Sequence, residues 1–171
     1  MARIKFIFMS AIAVFVLFGG VLSPLATAMA VTCSGFACDG TSPVTTGCSS
    51  GAVNKKTVYV VNNLWPYDNL SKVELRYSPT CKTVWTRNTI LSSDGAFTSY
   101  VYLSRYNPYN GATATYELHD HGLWQGQSNY GKQYYVPPAS DPYYYKAKSG
   151  AYVTNGTVAA GEDWTTWWLV P

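Results

Sequence analysis

Residues 72–81 read Lys-Val-Glu-Leu-Arg-Tyr-Ser-Pro-Thr-Cys. In an extended chain Val73, Leu75 and Tyr77 project from one face and Lys72, Glu74 and Arg76 from the other. An apolar face turned inward and an ion pair turned outward is the pattern of a half-buried antiparallel strand. Ser78-Pro79 ends it, because a residue before proline is restricted and proline itself donates no hydrogen bond. Cys81 then ties the turn to the N-terminal part of the chain.

The same alternation recurs on both sides. Thr57–Asn62 (TVYVVN), Phe97–Leu103 (FTSYVYL) and Ala112–His119 (ATATYELH) read as strands, as do Ala151–Thr154, Thr157–Ala160 and Trp164–Val170. Asn155-Gly156 stands between AYVT and TVAA, a strong hairpin signal, and Asn110-Gly111 and Asp94-Gly95 are similar turn dipeptides. Thr83–Ile90 has no decisive period and reads as either a short helix or a strand. Residues 137–142 (PPASDP) read as a loop. Many short strands at this spacing, with almost no helical signal, predict an all-β fold, a small antiparallel β-sandwich or barrel forming one domain over residues 31–171.

The first thirty residues have a different character. Arg3 and Lys5 precede an uncharged run from Phe6 to Leu22, followed by Ser23-Pro24 and the small-residue exit Ala26-Thr27-Ala28-Met29-Ala30. A basic start, an apolar middle and an Ala-x-Ala exit make a secretory signal peptide, with cleavage expected after Ala30. No twin-arginine pair is present, and Cys33 comes after Val31-Thr32, too late to be a lipoprotein cysteine. The expected address is secreted or extracellular, with no membrane attachment once the leader is removed.

The residues beyond the leader fit that address. Cys33, Cys38, Cys48 and Cys81 are separated by four, nine and thirty-two residues, spacing that lacks the paired C-x2-C of zinc sites. An even count in an exported chain reads as two disulfides, and three pairings are open. Two of the twelve basic residues lie in the leader, so the remainder nearly balances the nine acids. A near-neutral domain gives no electrostatic case for nucleic acid or anionic lipid.

The opening Cys33, Gly35, Cys38, Gly40, Pro43, Gly47, Cys48, together with Glu74-Leu75-Arg76-Tyr77-Ser78-Pro79-Thr80-Cys81, Trp85 and Arg87, resembles the YjfA-type family of small secreted bacterial proteins, a domain of unknown function. Residues 33–48 and 73–87 carry the match, and Trp164–Val170 resembles the family's closing strand. The resemblance implies export, disulfides and an all-β domain, and it implies no catalytic residues.

Chemistry-bearing residues are few. Glu117, His119 and His121 alternate on one face of a strand, and His-x-His can chelate zinc or copper; the competing reading is the solvated side of an antiparallel strand. There is no G-x-S-x-G: Gly126 and Gly131 flank Ser128 at the wrong spacing. Disulfide-bonded cysteines are no nucleophiles, and no two carboxylates are paired by sequence as a glycosidase requires. No cofactor is implied. All fifteen tyrosines and six tryptophans lie after the leader. Tyr100 and Tyr102, with Tyr106 and Tyr109 nearby, and Tyr143, Tyr144 and Tyr145 are the candidate binding residues, while Trp164, Trp167 and Trp168 read as core. The expectation is a non-enzymatic extracellular or cell-envelope binding protein whose partner is cell-wall glycan or another secreted protein. A cell-envelope hydrolase or metal-dependent enzyme using His119 and His121 is the alternative, and a secreted toxin or antimicrobial protein a further one.

Overall fold

The structure is a computed structural model that describes residues 30–63, 67–138, 140, 143–153 and 160–169, with backbone alone at 121, 153 and 160. The leader, the Asn155-Gly156 turn and part of the 137–142 loop lie outside the described residues. A 3₁₀ turn (Gly35–Cys38) precedes β1 (Val53–Val61), β2 (Asn69–Ser78), β3 (Thr83–Ile90), β4 (Phe97–Tyr106) and β5 (Thr113–Leu123). Then come β6 (Ser128–Tyr130), β7 (Tyr134–Tyr135), β8 (Tyr144–Val153), β9 (Ala160–Trp164) and β10 (Trp168–Leu169).

Two antiparallel sheets result. The first runs β1-β2-β3-β6, with β7 also on β3; the second runs β10-β8-β4-β5, with β9 also on β8. Their inner faces meet in one core. Val60, Val73, Leu75, Val84 and Ile90 come from the first sheet, and Phe97, Leu103, Tyr145, Ala147 and Ala151 from the second. The fold is thus all-β, and among the described residues the two sheets pack as a sandwich rather than closing into a barrel. Thr83–Ile90, open between helix and strand in the sequence, is a strand.

Cysteine pairing is Cys33–Cys38 and Cys48–Cys81. The second bond holds the N-terminal segment onto the first sheet, where Gly35 N donates to Cys81 O, Gln133 N to Thr41 O, and Tyr135 N to Asp39 Oδ1. Buried Gln133 completes the seam: its amide donates to Thr41 and Thr46 hydroxyls and accepts from Thr83 Oγ1 at 2.7 Å. Trp85, one step along the face that carries Thr83, is buried as well.

That covering corrects the reading of β2. Glu74 does share a face with Lys72 and Arg76, but it is 4% exposed rather than solvated. Its main partner is Arg87, directly across on β3, whose Nε donates to Glu74 Oε2 at 2.6 Å and whose Nη2 closes a second contact to the same oxygen. Lys72 Nζ at 3.5 Å and Arg76 Nη1 at 3.9 Å approach the other oxygen. Arg76 also donates to Ala52 O at 2.7 Å, joining the cluster to the segment after the disulfides.

Between the sheets lies a polar seam. Asn88 Nδ2 donates to Ser99 Oγ at 2.7 Å, Ser149 Oγ to Tyr100 O at 2.7 Å, and Thr86 Oγ1 to Tyr102 O at 2.5 Å. These bonds fix β4 from beneath at the two residues whose side chains point outward, Tyr100 and Tyr102. Buried hydrogen bonds of this kind set register, because a one-residue slip would break them.

Candidate functional site

The outer face of the second sheet collects most of the aromatic candidates. Alternation along β4 sends Tyr100, Tyr102, Ser104 and Tyr106 outward, and the register supplies their neighbours. Tyr106 lies between Thr113 and Tyr144, Ser104 between Thr115 and Lys146, Tyr102 between Glu117 and Lys148, and Tyr100 between His119 and Gly150. On the far side β9 places Trp164 beside Lys148 and Glu162 beside Gly150.

Trp167 reaches the same face through a local irregularity. Lys148 pairs with Trp164, whereas Tyr145 pairs with Trp168, so three steps along β8 span four along the β9–β10 edge. Thr165 absorbs the extra residue, donating its N–H to Ala147 O and accepting from Ala147 N at its hydroxyl. The one-residue bulge flips the alternation beyond it. Trp164 and Trp167 therefore share the outer face, and Trp168 turns in against Tyr77 and Tyr145. This overturns the expectation of three core tryptophans: Trp167 is 40% exposed, and of the described tryptophans only Trp85 is fully buried.

The tyrosine cluster 143–145 also divides. Tyr144 lies outward beside Tyr106, with rings 6.2 Å apart. Tyr145 is fully buried, its hydroxyl donating to Tyr135 O, so it belongs to the core and not to a binding surface. Tyr143 packs against that core beside the Arg105 guanidinium.

Two lysines thread the aromatic face. Lys146 Nζ stands 4.1 Å from the Trp164 ring centre and 4.5 Å from that of Trp167. Lys148 Nζ stands 5.3 Å from Trp164 and 5.6 Å from Tyr102, and pairs with Glu162 Oε2 at 2.8 Å. At the lower end Tyr106, Pro108, Tyr144 and Trp167 line an open, mainly apolar cleft of about 290 Å³.

Gly150 shapes the middle. A Cβ there would fall 2.1 Å from the Tyr100 hydroxyl, so the glycine is what lets this ring lie across β8 and donate to Glu162 Oε2 at 2.6 Å. An aromatic side chain covering a cross-strand glycine is a recurring sheet device. Burial, and then the bond to Glu162, push the Tyr100 hydroxyl well above the usual phenol range. The Glu117 carboxylate, and then burial, push Tyr102 up to about 12. Hydrogen bonds from Lys148 and Tyr100 hold Glu162 below the usual carboxylate range. At neutral pH Tyr100 and Tyr102 are therefore neutral phenols, held by Glu162 and Glu117.

Glu117 and His119 lie on this face too, with His119 Nε2 2.7 Å from Glu117 Oε1. The third metal candidate departs from the alternation. Ser99 pairs with Asp120 and Phe97 with Leu123, so the backbone of His121 and Gly122 forms a bulge opposite Thr98. Among the described residues the one group of three metal-type ligands is Cys33, Cys38 and Cys48, whose sulfurs are engaged in disulfides. No helix among the described residues is long and apolar enough to cross a membrane.

Compared with known proteins, the chain matches over residues 36–159 the family model described as Protein of unknown function (DUF2690). No curated protein and no solved structure matches it. The match takes in Tyr100, Tyr102, Tyr106, Tyr144 and both lysines, while Trp164 and Trp167 lie beyond it.

Proposed function

This chain belongs to the DUF2690 family of proteins of unknown function, and from that premise we propose that it is an exported, non-enzymatic domain that binds cell-envelope glycan through the outer face of its second sheet. One observation carries the reading: Tyr100, Tyr102, Tyr106, Tyr144, Trp164 and Trp167 converge on one face with two lysines between them. Aromatic faces carry negative potential and match the weakly positive C–H faces of sugar rings, while neighbouring hydroxyls and charges satisfy the sugar's polar rim. The polar seam beneath β4 and the cover of Tyr100 over Gly150 hold the platform before a ligand arrives, which lowers the ordering cost of binding.

Two further features support binding over hydrolysis. Glu117 and Glu162 rise from β5 and β9, with β4 and β8 between them, so their backbones lie about 14 Å apart on one sheet face rather than across a cleft. Each is also engaged with a different tyrosine hydroxyl. Export is supported by the leader pattern of residues 1–30 and by two disulfides, which persist in oxidising compartments.

Retention on purified cell wall tests the proposal. The wild type is expected to sediment with the wall, and Trp164→Ala with Trp167→Ala to abolish sedimentation while leaving the thermal melt in place. A wild type that stays in the supernatant overturns the glycan reading. N-terminal sequencing of protein from the medium tests the address, with Val31 expected first and a retained leader contradicting it.

A further inference from the structure

Resting on the glycan reading above, we infer that the ligand is anionic: a sugar polymer bearing carboxylates or phosphodiesters, with one negative group seated on Lys146. The outer face has four rows, about 7 Å apart along the strands. Tyr106 and Tyr144 form one aromatic row, and Tyr102 and Trp164 another; between them runs a polar row of Thr115, Ser104 and Lys146. The Ser104 and Thr115 hydroxyls stand 3.3 Å apart in that row.

Charge pairing singles out the lysine. Lys148 is neutralised by Glu162, and Glu117 is engaged by His119 and the Tyr102 hydroxyl. Lys146 makes no ion pair among the described residues; its ammonium is held only between two indole rings. Any ligand that stacks on Trp164 and Trp167 must cover it. Covered by a neutral sugar, the ammonium would trade water for neutral hydroxyl acceptors and keep its charge uncompensated, which is costly. Covered by an anion, it gains a charge-assisted bond, and the adjacent hydroxyls supply further donors. The face therefore favours a polymer placed with its charge over the polar row. Carboxylate and phosphodiester polymers share this chemistry.

Calorimetric titration of the disulfide-intact protein distinguishes the sources. Probes are an oligogalacturonate, a phosphodiester-linked oligoglucose and a neutral β-1,4-glucan hexamer. Lys146→Met preserves the aliphatic stem packed on the indoles and removes only the charge. One of the two anionic probes is expected to bind at least tenfold tighter than the neutral one, weakening with added salt. Lys146→Met is expected to erase that preference, so that anionic and neutral probes bind alike, a loss of about tenfold or about 1.4 kcal/mol in the ratio of their affinities. Equal binding of neutral and anionic probes, or a preference that survives Lys146→Met, overturns the inference while leaving glycan binding intact. Absence of binding by all three probes, together with unimpaired wall retention in the Trp164→Ala, Trp167→Ala protein, overturns both.

Discussion

Replacing Glu74 with glutamine keeps the shape of the side chain and removes its charge at the most crowded ionic site in the first sheet. The carboxylate is 4% exposed and faces Arg87, Lys72 and Arg76 at once. Neutralising it leaves three cations clustered without an anion, and the new amide N–H₂ opposes one of them. Burial, and then the nearness of Arg87, already lower the Arg76 pKa, and Glu74 acts against both. Breaking a buried ionic pair from one side costs about 3–5 kcal/mol. The cationic partners keep 18–31% of their side-chain surface, so the low end applies, about 3 kcal/mol. For a domain of this size that lowers Tm by roughly 10 °C. Differential scanning calorimetry with disulfides intact measures it, alongside Arg87→Met and the double variant. The double variant is expected to recover part of the loss, giving a coupling above about 1 kcal/mol. A single-variant loss below about 1 kcal/mol, or additive losses, would refute the claim that covered Glu74 organises the cluster.

Other consequences are as direct. Removing Cys48–Cys81, which closes a separation of 33 residues, is expected to cost about 4 kcal/mol, against about 2 for Cys33–Cys38 and its separation of 5; denaturant melts of the paired serine variants check the order, and a reversed order contradicts it. Gly161→Ala puts a methyl 2.1 Å from the Val61 carbonyl and drives β9 off β1, at about 1–3 kcal/mol. Gly150→Ala puts its methyl first against the movable end of Tyr100, so it is expected to spare stability and weaken wall retention; the opposite pattern in melts and sedimentation would contradict the roles given to these glycines. Tyr100, Tyr102 and Tyr145 have raised folded pKa values, so their contribution to stability is complete below the unfolded value of about 10 and is lost as pH climbs above it, through about 12 for Tyr102 and higher for the other two. Absorbance at 295 nm is expected to show some tyrosines ionising only as the fold is lost, and ionisation of all of them near pH 10 with the sheet signal unchanged would contradict this.

Much of the fold was legible because half-buried strands alternate. Val73, Leu75 and Tyr77, and likewise Val101 and Leu103, face the core as their period-two pattern implies. What was hidden has particular causes. β3 lacked a clear period because both faces are covered, one by the sandwich core and the other by the disulfide-held N-terminal segment, so Thr83 and Trp85 are as buried as Val84. Most of β8 was missed because its inward residues include Ala147, Ser149 and Ala151, too small or polar to signal a core. The outward Tyr144, Lys146 and Lys148 carry the signal that would have found it. Tyr100 and Tyr102 were legible as candidates by crowding alone. Trp164 and Trp167 were not, because a bulge one residue long reverses every orientation after it and leaves no mark in composition. Their meeting with Tyr100 and Tyr102 depends on the pairing of β4, β8 and β9, which local spacing does not encode.

Glycan is proposed to land on the outer face of the second sheet. The direct measurement is ¹⁵N-edited NMR of the protein titrated with solubilised cell-wall glycan, following the tryptophan indole N–H signals. Trp164 and Trp167 are expected to shift progressively with the amides of Tyr102, Lys146 and Lys148, while buried Trp85 and exposed, distant Trp124 stay fixed. Shifts at Trp124 with Trp164 and Trp167 unmoved, or no shift at saturating glycan, would contradict the account.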